Sequence, residues 1–221
     1  MILNANFKEN NAELKANFGE VAVVGGGETV QNPLEYATYT SMLFNTATFP
    51  DNYELTLNLP NVVDINNCIR DATGIKKITI KGNTSNSLVN FNYAFSSPSI
   101  EIVDLTEFNA NISDIRYCFY NSKALKEIKG VLNLANATKE IGLYTFSNCN
   151  SLEEIRFAEE TIKTSTRFNV SANLSAESIQ SIIDGLATVE TAQTLTLHST
   201  VHSALTDEQL TMIFNKNWSV E

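Results

Sequence analysis

Large apolar side chains return at a near-constant interval through the middle of the chain. Ile69, Phe95, Phe119 and Phe146 are separated by 26, 24 and 27 residues. Ile65, Phe91 and Ile115 stand four residues before the first three of these positions, and Ile141 stands one residue early before Phe146. Ile75, Leu125 and Leu152 follow Ile69, Phe119 and Phe146 by six residues. Such a period is typical of stacked units that cannot bury their apolar faces alone. The pattern predicts an α/β repeat fold in the form of a solenoid.

Short strands are predicted where two apolar residues flank a polar one. These triplets lie at 55–57, 78–80, 103–105, 132–134, 155–157 and 195–197. The alternation places one face of each strand on the core and the other in water. Stacked in register, with helical or turn-like returns between them, the strands are expected to form one parallel sheet.

The two ends of the repeats differ from the middle. Residues 174–221 are predicted as C-terminal repeats with a helical cap, because Ser175 precedes apolar residues at helical spacing and Thr206 with Gln209 forms a capping-box pattern. Strands are expected after these helices at 194–197 and 218–220. Residues 1–27 are interpreted as an extended attachment segment that ends in a three-glycine hinge. Asn32–Pro33 favours a helix start in a cap region over 28–50, which leaves 51–173 for the repeats.

Composition narrows the classes of function. An apolar fraction of 43% suffices for a continuous core, whereas a net charge of -10 opposes binding to nucleic acid or anionic lipid. No stretch approaches the roughly 20 apolar residues that span a bilayer, and we expect neither membrane insertion nor an export signal. Three cysteines cannot form a complete set of disulfides. We therefore expect buried thiols and folding in a reducing cytoplasm.

The polar midpoints of the predicted strands are candidates for a binding surface, because solenoids bind through extended faces. They are Thr56, Thr79, Asp104, Asn133, Arg156 and Thr196. The row lacks the aromatic anchors that dominate interaction hot spots. A solvated sheet without a ligand therefore remains an alternative interpretation.

A second periodic set consists of tyrosines. Tyr93, Tyr117 and Tyr144 each stand two residues before a core phenylalanine. In a helical segment, two residues correspond to about 200° of rotation, which predicts a ladder of tyrosines away from the core. Tyrosine offers apolar area with a polar tip, so the ladder suits a sugar or a partner chain. Packing of each ring against its neighbours is the alternative.

No catalytic constellation emerges from the sequence. His198 and His202 are four residues apart but lack the glutamate of a zinc-binding helix motif, and the glycines at 25–27 lack the order of a nucleotide-binding loop. Adjacent glutamates, as in 153–154 and 159–160, point to opposite faces of a strand. The prediction is a non-enzymatic protein without cofactor or metal.

Residues 141–152, with the sequence IGLYTFSNCNSL, are similar to the I-G-x-x-A-F-x-x-C-x-S-L pattern of BspA-like bacterial leucine-rich repeats. The spacing around Ile69 and Phe119 resembles the same pattern. The resemblance covers roughly residues 40 to 200. It implies a leucine-rich-repeat solenoid with a parallel sheet.

The two ends of the chain resemble segments of repeat proteins from phage and prophage tail regions of gut Firmicutes. The similar segments are 6–10, 18–21, 174–179, 194–198 and 217–218. The resemblance implies a phage-tail-associated module, either receptor-binding or tail-accessory, that is made in the host cytoplasm and located in the virion. Expected partners are other tail proteins through the N-terminal segment, a host surface protein or glycan, and copies of the chain in a homo-oligomer. A bacterial cell-surface adhesin is the alternative, and a glycan hydrolase is a third hypothesis.

Overall fold

The protein is represented by a computed structural model that describes residues 34–35, 44–59, 64–83, 87–138, 141–142 and 144–221. The chain separates into two units, Met1–Asn32 and Pro33–Glu221, and only the second is described below. The predicted attachment segment 1–27 and its glycine hinge lie outside the described residues. The second unit combines parallel sheets with few helices and belongs to the α/β class.

The described residues contain ten strands and three helices. The strands are β1 (Leu34–Glu35), β2 (Thr48–Leu59), β3 (Thr73–Gly82), β4 (Val89–Asn90), β5 (Ile102–Phe108), β6 (Ile112–Asp114), β7 (Glu127–Lys129), β8 (Thr166–Phe168), β9 (Gln193–Leu197) and β10 (Trp218–Val220). The helices are α1 (Ala176–Gly185), α2 (Ser199–Ser203) and α3 (Asp207–Asn215).

Every pairing between these strands is parallel. The largest sheet has the order β1-β2-β3-β5-β7, a second has the order β10-β9-β8, and β4 pairs with β6. Buried and partly exposed residues alternate in β2, where Leu55, Leu57 and Leu59 face the core. The prediction of parallel pairing is confirmed, but the strands fall into three sheets instead of one.

Four of the six predicted triplets lie in strands, namely 55–57 in β2, 78–80 in β3, 103–105 in β5 and 195–197 in β9. The triplets 132–134 and 155–157 make only isolated bridges. On the side away from β3, β5 pairs with β7, which the sequence pattern did not indicate. Gly130 directly follows β7 and has a φ of +90, and a Cβ at this position would lie 2.9 Å from the carbonyl of Leu105. The chain therefore turns before residue 132 reaches the sheet.

A file of aromatic rings runs through the core. The ring centroids of Phe95 and Phe119 are 5.7 Å apart, those of Phe119 and Phe146 are 5.4 Å apart, and Phe168 follows Phe146 at 4.7 Å. Ile69 is also fully buried, and its amide donates to the carbonyl of Ala94 at 3.0 Å. Phe95, Phe119 and Phe146 therefore lie in one file as predicted, and Ile69 is buried in the same core.

Small polar side chains link successive core segments. The hydroxyl of Ser97 donates to the carbonyl of Ala72 at 2.7 Å, and that of Ser122 donates to Phe95 at 2.8 Å. The corresponding groups of Cys149 and Ser171 donate to the carbonyls of Phe119 and Cys149 at 3.0 and 3.1 Å. Burial of a polar group is tolerated when it forms a hydrogen bond. These bonds therefore fix the spacing between segments that lie about 25 residues apart.

The returns around residues 66–71, 92–95 and 116–121 are turns, not helices. Three-residue hydrogen bonds close them, for example from the amide of Cys118 to the carbonyl of Ile115 at 3.2 Å. Asn67, Tyr93 and Tyr117 take left-handed conformations, with φ of 53, 52 and 57. The 200° helical rotation assumed for the tyrosines therefore does not apply to these segments.

The C-terminal helices begin where the sequence predicts. Ser175 caps α1 by accepting from the amide of Ser178, and Thr206 with Gln209 forms the predicted capping box of α3. Strands β9 and β10 follow at the expected places. Helix α2 is an addition that the pattern did not indicate, and His198 caps it by accepting from the amide of Thr200. Among the described residues, no helix has the length and apolar character needed to cross a membrane.

The N-terminal end of the second unit differs from the prediction. Leu34 and Glu35 form β1 and pair with Leu57 and Asn58 of β2, so a helix does not begin after Pro33. Pairing with an available strand edge outweighs the weak local signal of the Asn-Pro pair. The remainder of the predicted cap helix, 36–43, lies outside the described residues.

Candidate binding surfaces

The polar midpoints of three strands lie side by side on the largest sheet. Thr56 of β2 is in register with Thr79 of β3, and Thr79 is in register with Asp104 of β5. The next position is Lys129 of β7, which is in register with Asp104. The row that was predicted as a binding surface is therefore observed for its first three members, and Lys129 is a member that the sequence did not indicate.

Two of the six predicted members lie elsewhere. Asn133 pairs with Asn111, beyond the turn at Gly130, and not with Asp104. Thr196 is in register with Arg167 in the separate sheet of β8, β9 and β10. Their predicted place in this row is wrong. The cause is that an apolar-polar-apolar triplet predicts which face a residue occupies but does not identify its neighbouring strand.

Ion pairs neutralise much of this sheet face. Lys77 lies 3.3 Å from a carboxylate oxygen of Asp104, and Lys81 lies 2.7 Å from Glu107. Burial disfavours ionisation of Asp104, but hydrogen bonds from Thr106 and Lys77 together outweigh it and lower the pKa of this carboxyl group. The charged side chains of β3 and β5 on this face thus pair with one another.

Arg156 lies at one end of the face, in a shallow groove. The groove encloses about 570 Å³, and its lining residues are Thr106, Glu127, Ile128, Lys129, Gly130, Glu154, Ile155, Arg156 and Glu177. Lys129 approaches Glu127 to 3.5 Å, and the hydroxyl of Ser178 donates to Glu154 at 3.1 Å. Arg156 makes no ion pair within the described part of the chain. Three glutamates thus line the groove, and the carboxylates of Glu127 and Glu154 already contact other side chains of the chain.

The three predicted tyrosines form a stack. The rings of Tyr93 and Tyr117 have centroids 4.6 Å apart and planes within 4° of parallel. Tyr144 continues the stack, 5.4 Å from Tyr117 and within 6° of parallel. Tyr120 meets Tyr93 and Tyr117 edge-on at 6.5 and 6.0 Å. The predicted ladder is observed, although turns and not helices create it.

Arg70 closes one end of this tyrosine ladder. Its guanidinium carbon lies 4.4 Å from the centroid of the Tyr93 ring. The guanidinium is held by the side-chain oxygen of Asn67 at 3.3 Å and by Asp71 at 3.4 Å. Partial burial and the neighbouring Tyr117 raise the pKa of Tyr93, whereas Arg70 acts in the opposite direction. Arg70 was not predicted from the sequence, although it follows Ile69 directly, as Tyr120 follows Phe119.

The other end of the ladder is open. Each face of Tyr93 and Tyr117 is covered by a ring or by Arg70, so these two residues present only ring edges and hydroxyl groups. Tyr144 is 54% exposed. Within the described residues, no aromatic ring or guanidinium covers its second face. Tyr144 is therefore the ring on which a further flat group can stack.

The three cysteines are buried and do not form disulfides. Burial raises the pKa of the Cys68 thiol to about 12, and it also raises those of Cys118 and Cys149. Nucleophilic cysteine chemistry requires an accessible thiolate. These side chains are thus core residues.

Among the described residues, no group of three or more His, Cys, Asp or Glu side chains could hold a metal ion. The Nδ1 atom of His198 instead accepts from the amide of Thr200 at 3.2 Å. Comparison of the chain with protein-family models, with curated proteins and with solved structures gave no match.

Proposed function

We propose that the chain is a leucine-rich-repeat solenoid that acts as a non-enzymatic binding or structural protein. The spacing of about 25 residues between paired strands supports the repeat interpretation. The file of phenylalanine rings and the hydrogen bonds of Ser97, Ser122 and Ser171 support it as well, because they recur at matching positions. Stability in such a fold comes from contacts between neighbouring windings.

The observation that carries the binding function is the tyrosine ladder with one open ring. Stacking on Arg70 and on one another holds the rings in fixed orientations, so little side-chain entropy remains to be lost when a ligand binds. Tyr144 offers an apolar face and a polar tip, which suits the apolar face of a sugar ring or an aromatic side chain. A host surface glycan or protein is the proposed ligand.

Multivalent binding provides the affinity that contact with a single tyrosine ring does not provide. A single aromatic contact contributes only about 0.5–1.5 kcal/mol beyond its buried area. Several copies of the chain on a symmetric assembly would present their Tyr144 rings together, and effective concentration would convert weak contacts into stable attachment. The proposed role is therefore that of a receptor-binding or tail-accessory module.

The proposed location is a phage tail, with the N-terminal segment contacting other tail proteins. The support is the resemblance of both ends of the chain to proteins from phage and prophage tail regions. A cell-surface adhesin would use the same ladder for the same kind of contact. An experiment, and not the geometry of the ladder, distinguishes the phage tail from the cell surface.

Substitution at Tyr144 tests the binding function. The probes are cell-wall polysaccharide and surface-protein fractions prepared from gut Firmicutes, with binding measured by surface plasmon resonance. Tyr144→Ala is expected to weaken binding about tenfold or more, because truncation of an interface anchor costs more than 1 kcal/mol. Tyr144→Phe should retain most of the binding, and Val131→Ala, at an exposed apolar residue outside the ladder, should leave it unchanged. Equal binding by Tyr144→Ala and the native protein would contradict the role of the ladder.

Electron microscopy with gold-labelled antibody against the purified protein tests the location. After prophage induction, label on tails supports the virion assignment. Label on the envelope of cells that contain no particles supports the adhesin. Label confined to the cytoplasm of uninduced and induced cells contradicts both.

A further inference from the structure

The last helix of the chain exposes an apolar stripe. Phe214 is 79% exposed, and Leu210 is 37% exposed one turn earlier on the same side of α3. Residues four apart in a helix share a face. Met212, on the opposite side of α3, lies 3.9 Å from the side chain of Gln180 in α1, and Ile213 is buried in the core. Neighbouring exposed apolar side chains of this size mark an interaction surface.

Helix α1 shows which contact the corresponding face makes elsewhere in the chain. When α1 and α3 are aligned on their N-caps, Ile183 corresponds to Phe214. Ile183 is fully buried, and α3 packs against α1. Gln209 donates to Gln180 at 3.1 Å, and the ammonium of Lys216 donates to the carbonyl of Ile183 at 3.1 Å. The outer face of α3 thus corresponds to the face of α1 that contacts another helix.

The strand that follows α3 is open in the same way. Strand β10 is an edge strand of its sheet among the described residues. Two residues beside Trp218 and Val220 form backbone hydrogen bonds with β9. The carbonyl of Asn217 accepts from the amide of Gln193 at 3.2 Å, and the amide of Glu221 donates to the carbonyl of Leu195 at 3.0 Å. In a parallel ladder alternate residues bond to opposite sides. The backbone groups of Trp218 and Val220 therefore point away from β9.

We propose that this terminal face, formed by the outer side of α3 and the free edge of β10, binds the same face of a second copy of the chain. A twofold axis would place the two α3 helices antiparallel, with Phe214 of each on Leu210 of the other. The two β10 strands would pair antiparallel and join two three-stranded sheets. Such a contact is closed, so the product is a dimer and not a filament.

The distribution of charge favours a second copy over a charged partner. The chain carries a net charge of -10, which opposes self-association through most of its surface. The outer face of α3 is uncharged, with Leu210, Thr211, Phe214 and Asn215. The acidic residues of α3, Asp207 and Glu208, lie in its first turn. Antiparallel packing keeps the acidic ends of the two helices apart and places each beside uncharged residues of the other copy.

Sedimentation of the full chain at increasing concentration tests the dimer directly. The native protein is expected to reach twice the monomer mass. Phe214→Ser with Leu210→Ser should raise the dimer dissociation constant about thirtyfold or more, as expected when hot-spot side chains are removed. Val131→Ser, which changes another exposed apolar residue, should leave the dissociation constant unchanged. A native protein that stays monomeric at about 100 µM, far above the dissociation constants of specific dimers, overturns the proposal, as does an open series of larger oligomers.

A cross-linking experiment does not depend on the folding of the serine variants. The native cysteines are all buried, so Thr211→Cys introduces an accessible thiol close to the proposed twofold axis. Mild oxidation should give a covalent dimer from Thr211→Cys and none from Lys123→Cys, at an exposed residue of a distant turn. Equal cross-linking by the two variants would contradict the proposed face. The dimer stands whether or not Tyr144 binds a ligand, and the glycan and microscopy experiments do not test it.

Discussion

Individual side chains at matching positions contact one another across successive segments of the chain. Serine hydroxyls donate to the carbonyls of the preceding segment, phenylalanine rings stack in the interior, and tyrosine rings stack at the surface. Side chains about 25 residues apart thus form rows of contacts between neighbouring segments. Each row makes a different contribution to stability or binding.

Ser122 makes two buried hydrogen bonds between segments. Its hydroxyl donates to the carbonyl of Phe95 and accepts from the amide of Ser97 at 3.3 Å, and these two backbone groups also bond to each other at 2.9 Å. We expect Ser122→Ala to lower the free energy of unfolding, measured in urea, by about 0.5–1.5 kcal/mol per lost hydrogen bond. Ser151→Ala, which removes an exposed hydrogen bond to Lys123, should cost less than about 0.5 kcal/mol. Equal losses for the two variants would contradict the role of buried serines.

The buried thiol of Cys68 predicts a loss of stability in alkali. Its pKa is raised by burial to about 12, so the folded state favours the neutral thiol. This contribution is fully present below the unfolded pKa of about 8.5 and is lost as pH rises toward 12. Between pH 9 and 11, the native protein should lose up to about 1.4 kcal/mol per pH unit more than Cys68→Ala does. Unfolding curves with the same pH dependence for both proteins would refute this assignment.

At the scale of elements, the sequence identifies caps and alternating strands better than strand neighbours. Ser175 and Thr206 are found as predicted because a cap depends on residues within one turn. The segment 127–129 was missed, since Gly130 and its approach to Leu105 decide which residues reach the sheet. The choice of strand residues therefore depends on a tertiary contact, which the local pattern of apolar and polar residues does not encode.

The phenylalanine file joins elements that are far apart in sequence, and its coupling can be measured. A double-mutant cycle with Phe95→Leu and Phe119→Leu should give a coupling energy of about 0.5–1.5 kcal/mol, because the two rings stack at 5.7 Å. The matched cycle with Phe95→Leu and Phe168→Leu pairs rings with two others between them in the file. Its coupling should stay below about 0.5 kcal/mol. Similar coupling in both cycles would contradict a file of nearest-neighbour contacts.

At the scale of the whole molecule, periodicity in the sequence predicted the rows of phenylalanine and tyrosine rings but not what each row does. The tyrosines were found by their spacing, yet their planes, the position of Arg70 and the open face of Tyr144 depend on turn geometry. Likewise, the exposure of Phe214 becomes evident only when α3 is compared with α1. Both proposed surfaces thus depend on the stacking of successive segments.

Amide hydrogen exchange, followed residue by residue by NMR, tests that stacking most directly. The amides of Ile69, Phe95 and Phe119 lie in turns, and each donates to a carbonyl of the following segment at 3.0, 2.9 and 3.1 Å. If the segments stack, these three amides should exchange only through cooperative opening, with protection close to the free energy of unfolding. Exchange at the rate of an unprotected peptide at all three positions would contradict the stacked arrangement.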